Sequence, residues 1–293
     1  MNKNLPVKTS YVSKDVDIPA DFLRSEPDDA QPITFKQIDF ADTVLPEYKG
    51  LYAVVLDHVL SPSECAKLLE LVEASVADEN KNKANGDPWA PALVNVGGGY
   101  EVAVPDYRNG DRIIWDQQDV VDRLWARLAS VPQVKDSLLS FAQSWERSGG
   151  DKADQTVWDF HALNKRMRFL RYGPGGFFRP HCDAPYGETM ADGHSVLTHY
   201  TVHLYLNDSK QEVGDAAELV GGATSFLSAN QQRKMDVDPK AGRVLIFQHR
   251  RLYHSGDDVK EGVKYTMRTD IMYRMRDGRN SAGEPFTGTT QTL

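Results

Sequence analysis

From about residue 165 onward this chain is written in short runs rich in β-branched and aromatic residues: MRFLRY, THYTVHLYLN, GGATSFLS, RVLIFQ and KYTMRTDIMYR. Clusters of Asn, Asp, Gly and Pro separate them, as in NDSKQEVGD, DVDPKAG and HSGDDVKEG. Such runs bounded by turn residues read as strands. Short strands joined by long loops favour a sandwich or barrel of the jelly-roll or cupin kind. The preceding half has a helical period instead. In SPSECAKLLELVEASV, Ser61 fits an N-cap, Pro62 the first helical position and Glu64 the reciprocal capping-box partner. Cys65, Leu68, Leu69, Val72 and Val76 then fall on one face, which makes Cys65 a core residue. A second helix is expected from about Gln117 to Leu128, with Val121, Leu124, Trp125 and Leu128 inward. A third is expected around Val134 to Glu146, stopping before Gly149-Gly150. Helices first and strands afterward give an α+β chain with N-terminal helices flanking a jelly-roll core.

Residues 1–44 are polar and interrupted by Pro and Asp, so an extended arm carrying short ordered pieces is expected there. The main domain is expected over 45–276, and 277–293 reads as a loose tail. A net charge of −8, from 34 basic and 42 acidic residues, argues against a general nucleic-acid binder. The first residues lack an apolar signal-peptide core, and no run approaches the ~20 apolar residues that span a bilayer. Cys65 and Cys182 are the two cysteines, so there is no disulfide framework, and an intracellular, cytoplasmic setting is expected.

The stretch RYGPGGFFRPHCDAPYGE places His181 and Asp183 two residues apart after a Gly/Pro turn. A third ligand would complete a two-histidine, one-carboxylate set, which leaves adjacent open positions on an octahedral metal and suits Fe(II). RVLIFQHRRLYHSGDD offers His249 and His254 for it. His58, His161 and His194 have no ligand-like neighbours. His199 and His203 lie in a strand-like run, where a partly buried structural role is expected. Cys182, between the two candidate ligands, would point away from them in an extended stretch.

The order of these motifs resembles the Fe(II)- and 2-oxoglutarate-dependent dioxygenases, closest to the prolyl 4-hydroxylase-like group. The resemblance runs from LYAVVLDHVLSPSECAKLLEL through RNGDRIIWD, RFLRYGPGGFFRPHCD, HLYLND, GGATSFL and GRVLIFQHRRLYHSGDDVKEGVKY, and ends near Arg274. It implies a double-stranded β-helix with iron near one open end. It implies that His181, Asp183 and His254 are the ligands, with His249 the weaker choice for the third. It also implies Fe(II), 2-oxoglutarate and O2 as the reactants, with ascorbate as an optional reductant. Because Asp183 retains a carboxylate at the second position, hydroxylation is implied rather than halogenation.

A buried cosubstrate carboxylate needs a cationic partner. Lys264 and Arg268 lie four apart on one strand face, and Lys264 holds the family's usual basic position ten residues after the distal histidine. Arg268 is an addition that would bind cosubstrate, pair with Asp270 or contact substrate. Tyr205 matches a tyrosine that hydrogen-bonds the far carboxylate, with Thr201 and His203 on its strand face, and Tyr172 matches one near the entrance. The Gly-rich residues 97–110 resemble a mobile lid over the site. The expected reaction hydroxylates an unactivated C–H bond of a protein residue, proline among them, or of a small molecule, with release of succinate and CO2. Two competing readings are a cupin-like metal enzyme that does not use 2-oxoglutarate, and a catalytically inactive jelly-roll binding protein.

Overall fold

The computed structural model describes residues 5–82, 84–145 and 154–276. The expected tail at 277–293 and the Gly149-Gly150 helix stop lie outside these residues. Among the described residues, eleven strands form a large antiparallel sheet. Its central order is Thr34–Gln37, Ala53–Asp57, Val244–Gln248, Ser195–Tyr205, Lys264–Met275, Arg166–Tyr172 and Asp111–Asp116. Five further strands form a smaller antiparallel sheet in the order Lys234–Val237, Thr224–Leu227, His254–Gly256, Phe177–His181 and Arg108–Asn109. Each strand run read from the sequence lies in one of these two sheets. The architecture is a double-stranded β-helix whose two sheets remain open ladders.

Strand alternation divides the large sheet into two chemically different faces. Val54, Leu56, Val202, Leu204, Val244, Ile246, Met267 and Ile271 form the outer face. They bury against Leu68 and Val72 of α1 (Pro62–Ala74) and Val121, Leu124 and Leu128 of α2 (Gln118–Ala129). Each such side chain contributes about 1.5–3 kcal/mol of burial. On the inner face, Ala53, Tyr205, Leu245 and Phe247 meet Phe226 and Val237 of the small sheet. Thr201, His203, Thr266, Arg268 and Asp270 share that inner face, so the interval between the sheets is apolar at one end and polar at the other.

α1 begins as its sequence requires: Ser61 accepts from the Glu64 amide, and the Glu64 carboxylate accepts from the Ser61 amide. Cys65 is buried, and burial pushes its thiol up to about 12. In α2, Trp125 sits at the edge of the core, stacked on Phe160 with ring centroids 4.1 Å apart. The third helix corrects the expectation. α3 spans only Pro132–Leu138, and Ser140–Trp145 is a strand. Pairing decides this: Phe141 lies opposite Trp158, and its ring meets Tyr200 and Tyr273 edge-on, burial that a continued helix would forfeit.

The N-terminal arm is tied to the domain at several points. Thr34–Gln37 extends the large sheet beside Ala53–Asp57, and Phe40 enters the inter-sheet core. From α2, Arg123 donates to the Pro19 and Phe22 carbonyls, and Arg127 to those of Leu23 and Ser25. Arg127 also forks onto buried Glu64 at 2.6 and 2.7 Å. Removing the guanidinium leaves a buried carboxylate unpaired and unpins the arm. Arg127→Ala is therefore expected to lower unfolding free energy by about 3–5 kcal/mol in denaturant titration, far more than an exposed arginine would.

Candidate metal centre

His181 ends the Phe177–His181 strand and His254 begins the neighbouring His254–Gly256 strand, where the two residues are directly opposed. A register shift between Phe178 and His181 lets side chains three apart face the same way, and Pro180, which has no N–H to lose, sits in it. Phe178 then stacks on the His181 ring at 3.8 Å. Phe247 meets the His254 ring edge-on at 4.7 Å. Both imidazoles are oriented by backbone: His181 Nδ1 lies 2.8 Å from the Arg179 carbonyl and His254 Nδ1 3.0 Å from that of Leu252. A carbonyl only accepts, so each Nδ1 carries the proton and each Nε2 presents a lone pair.

Those lone pairs converge on Asp183. His181 Nε2 is 3.6 Å from Asp183 Oδ1, and His254 Nε2 is 3.7 Å from Oδ2. The three ligand atoms lie within 4.8 Å of one another, the one such cluster found among the described residues. These separations are too long for direct hydrogen bonds and suit three ligands around a shared ion. The large sheet holds the carboxylate from behind: Thr201 Oγ1 donates to Oδ2 at 2.6 Å and Arg268 Nη1 to Oδ1 at 2.8 Å. Burial alone would raise the Asp183 carboxyl, but the Arg268 guanidinium outweighs it and holds the carboxyl well below the usual carboxylate range. Burial also lowers His254 to about 4, with Asp183 opposing, so the imidazole is a neutral donor at pH 7. A nitrogen–nitrogen–carboxylate set of this kind fits Fe(II).

Beside the triad, Lys264 is 3% exposed. Among the described residues no carboxylate pairs with it, and its Nζ stands 5.8 Å from the Tyr172 ring centroid and 5.6 Å from that of Tyr205. Burial lowers this amine to about 8, with only Asp257 and Asp238 opposing. His203 Nε2 and Thr266 Oγ1 are buried and lack hydrogen-bond partners among the described residues. Burial, Lys264 and Arg268 keep His203 neutral. An uncompensated cation beside orphaned polar atoms is costly unless an anion completes the group, and the far carboxylate of 2-oxoglutarate fits that need. Glycines make the room. Gly222 has φ +74°, and a Cβ there would meet Lys264 Cδ at 3.1 Å, while one on Gly110 would overlap the Tyr172 ring.

The sequence-derived site residues distribute as follows. His181, Asp183 and His254 come together, and Lys264, Tyr172, Tyr205, Thr201 and His203 line the adjoining interior. Tyr205 is fully buried, with its hydroxyl donating to the Val237 carbonyl at 3.3 Å. Arg268 Nη2 donates to Asp270 Oδ1 at 3.1 Å as well as binding Asp183, so Arg268 is an ion-pair partner of the ligand carboxylate. His249 stays out of the triad; its Nε2 faces Asp270 Oδ1 at 3.3 Å. His199 packs among Trp158, Phe141 and Tyr273 in a structural role and, unlike His203, is not at the site. Cys182 is exposed, as alternation requires. Tyr100–Val102 of the lid-like region pairs with the preceding Val94–Gly97 in a hairpin, to which Val7–Lys8 adds a third strand. Two cations, Arg108 and Arg168, went unnoticed in the sequence. For Arg168 the signal was there: in MRFLRY it shares a strand face with Leu170 and Tyr172.

Residues 167–269 match the model of the 2OG-Fe(II) oxygenase superfamily. This stretch is a 2OG-Fe(II) oxygenase domain. It contains the whole triad together with Lys264 and Arg268, and the superfamily's reactants are Fe(II), 2-oxoglutarate and O2. No curated protein sequence matches the chain. Among solved structures, the chain is similar to a viral collagen prolyl hydroxylase from Paramecium bursaria Chlorella virus-1, at 19% identity and a TM-score of 0.44, over 76% of this chain and 97% of that one. It is similar to a Trichoplax adhaerens prolyl hydroxylase in complex with a hypoxia-inducible-factor peptide, at 16% identity and a TM-score of 0.47, over 81% and 89%. It is also similar to a Pseudomonas putida prolyl-4-hydroxylase, at 16% identity and a TM-score of 0.45, over 80% and 99%. No helix among the described residues is long and apolar enough to cross a membrane.

Asp183 alone offers both the ligand oxygen and the link to the large sheet. Asp183→Ala is expected to weaken Fe(II) binding by at least about a hundredfold, measured anaerobically by equilibrium dialysis, with the far-UV dichroism of the parent retained. Parent-like iron affinity in that variant removes Asp183 from the centre.

Proposed function

We propose that the protein is a 2-oxoglutarate-dependent hydroxylase in which His181, Asp183 and His254 hold Fe(II) and Lys264 anchors the far carboxylate of 2-oxoglutarate. The observation that carries the reading is the pairing of a converged triad with a buried lysine that forms no ion pair among the described residues. A cupin-like metal enzyme without the cosubstrate would have no use for that lysine, and an inactive binding protein would have no use for either. Bound together, Fe(II) and 2-oxoglutarate supply the oxidising chemistry that places one atom of O2 into a C–H bond and the other into succinate, with release of CO2.

The chain's own work is positioning. Thr201 and Arg268 fix the Asp183 carboxylate, and the Arg179 and Leu252 carbonyls fix the imidazole tautomers. Tyr172, Tyr205 and Thr266 wall the interior around Lys264, and Phe178 and Phe247 keep water from the ring faces of the two histidines. None of these residues has to act as a general base. We take residues 45–276 as the catalytic domain, with the arm and tail as attachments, and place the enzyme in a reducing, intracellular setting that keeps Fe(II) and the Cys182 thiol reduced. The motif order favours the prolyl 4-hydroxylase-like group. A protein residue, proline among them, and a small molecule are the two substrate classes to separate.

Mixing the protein anaerobically with Fe(II) and then 2-oxoglutarate is expected to give the visible iron-to-ketoacid charge-transfer band. Lys264→Ala is expected to abolish it at cosubstrate concentrations that saturate the parent. The pH dependence is diagnostic. The cosubstrate needs the protonated amine, which is present below about 8 and is lost above it. The half-saturating 2-oxoglutarate concentration should therefore rise about tenfold between pH 7 and pH 9, where an ordinary lysine would leave it flat. Iron binding without a band would favour the cupin-like reading.

A further inference from the structure

The polar end of the inner face carries more positive charge than the proposed chemistry uses. Arg168 and Arg268 lie directly opposite each other on adjacent strands, with His203 next in the same row. Like charges placed this way repel, and one carboxylate holds them together: Asp270 accepts from Arg168 at 3.1 Å and from Arg268 at 3.1 Å. His249 leans on the same carboxylate. Arg108 reaches the cluster from the small sheet. Its guanidinium lies 4.6 Å over the Phe178 ring, and Phe178 stacks on His181. Its neighbours are Tyr172, Arg112 and Arg268, and no described residue gives it a carboxylate. Arg108 Nε and Arg268 Nε are both buried without hydrogen-bond partners. Arg112 adds nothing to this charge because buried Glu101 neutralises it.

Arg108, Arg168, Arg268 and Lys264 thus have two carboxylates in direct ion pairs among the described residues, Asp183 and Asp270, with Asp257 and Asp238 acting on Lys264 from further off. Fe(II) brings two positive charges and 2-oxoglutarate two negative, so loading the centre leaves a surplus of two. A surplus largely withdrawn from water favours an anionic ligand. Arg168 and Arg268 keep 24% and 20% of their side-chain surface exposed, so a ligand can reach them. An uncharged prolyl peptide would leave all of this uncompensated.

Resting on the oxygenase reading of the triad, we propose that the substrate is a small carboxylic acid whose carboxylate is held by Arg108 and Arg168 beside Arg268, with the C–H bond to be hydroxylated directed toward the His181–Asp183–His254 centre. Guanidinium groups match a planar carboxylate in a forked geometry, and their rigidity fixes the distance from carboxylate to target carbon. Selectivity then comes from the length of the acid.

The test uses the full-length protein, anaerobic and loaded with Fe(II) and 2-oxoglutarate, its charge-transfer band established first. Calorimetric titration compares L-aspartate, L-glutamate, N-acetyl-L-proline, inorganic phosphate and an N-acetylated, C-amidated proline peptide. At least one carboxylic acid should bind saturably, and about tenfold more weakly in Arg108→Gln and in Arg168→Gln. Both variants should form the cosubstrate band at the parent's midpoint. Binding of the neutral peptide alone, of phosphate alone or of nothing overturns the proposal. Loss of 2-oxoglutarate affinity in the arginine variants also overturns it, by giving these residues to the cosubstrate. A parent that forms no band sinks the oxygenase reading instead. A ligand-free measurement stands beside this: Arg108→Met should melt at or above the parent's temperature at low salt, because it removes an uncompensated charge. Melting several degrees lower would make Arg108 structural and contradict the assignment.

Discussion

The Asp183 carboxylate joins the two halves of this fold. It belongs to the turn after a small-sheet strand, yet Thr201 and Arg268 of the large sheet hold its two oxygens at 2.6 and 2.8 Å. The two histidines approach the same oxygens from the small sheet at 3.6 and 3.7 Å. One ionised group therefore sets the spacing between the sheets at their polar end and presents the ligand set. The cost of burying it is met by Arg268, which Asp270 in turn keeps in place. Removing any member leaves a charge without its partner, so the centre is built as a unit.

The price of that interior falls on stability. His203 and Thr266 place polar atoms where they lose water and gain no partner among the described residues, and Lys264 is buried beside them with only the Tyr172 and Tyr205 rings for company, an arrangement that destabilises the unliganded fold. What offsets it lies on the other side of the same strands. Met267 and Ile271 alternate with Thr266, Arg268 and Asp270, and they pack beneath α1 and α2 in the larger apolar cluster. Period-two alternation along Lys264–Met275 thus lets one strand serve as core on one face and as binding surface on the other. Binding of iron and cosubstrate would recover stability by mass action.

How much of this was legible in the sequence follows the range of the interactions involved. The α1 cap is local, and Ser61, Pro62 and Glu64 announced it. The alternation of KYTMRTD placed Lys264 and Arg268 on one face, and the H-x-D spacing with a later histidine marked the triad. Long-range pairing was not legible. Ser140–Trp145 reads as the end of a helix until Trp158 is known to lie opposite Phe141. His249 and His254 were separable only by motif resemblance, because the turn that sends one toward Asp270 and the other toward Asp183 is a property of the assembled sheets. Arg108 escaped notice for the same reason: a cation on a short strand reads as solvated until its face is known to be inward, whereas Arg168 shares a face with Leu170 and Tyr172 in a run whose alternation was already legible.

The central claim is that this inner face holds a metal at the triad and an anion at Lys264. A crystal structure grown anaerobically with Mn(II) as a redox-inert stand-in and with 2-oxoglutarate tests it directly. The account predicts one ion bound by His181 Nε2, Asp183 and His254 Nε2, chelated by the ketoacid, with the far carboxylate on Lys264 Nζ. An ion held by His249 and Asp270, or a 2-oxoglutarate whose far carboxylate rests on Arg168 rather than Lys264, would contradict it.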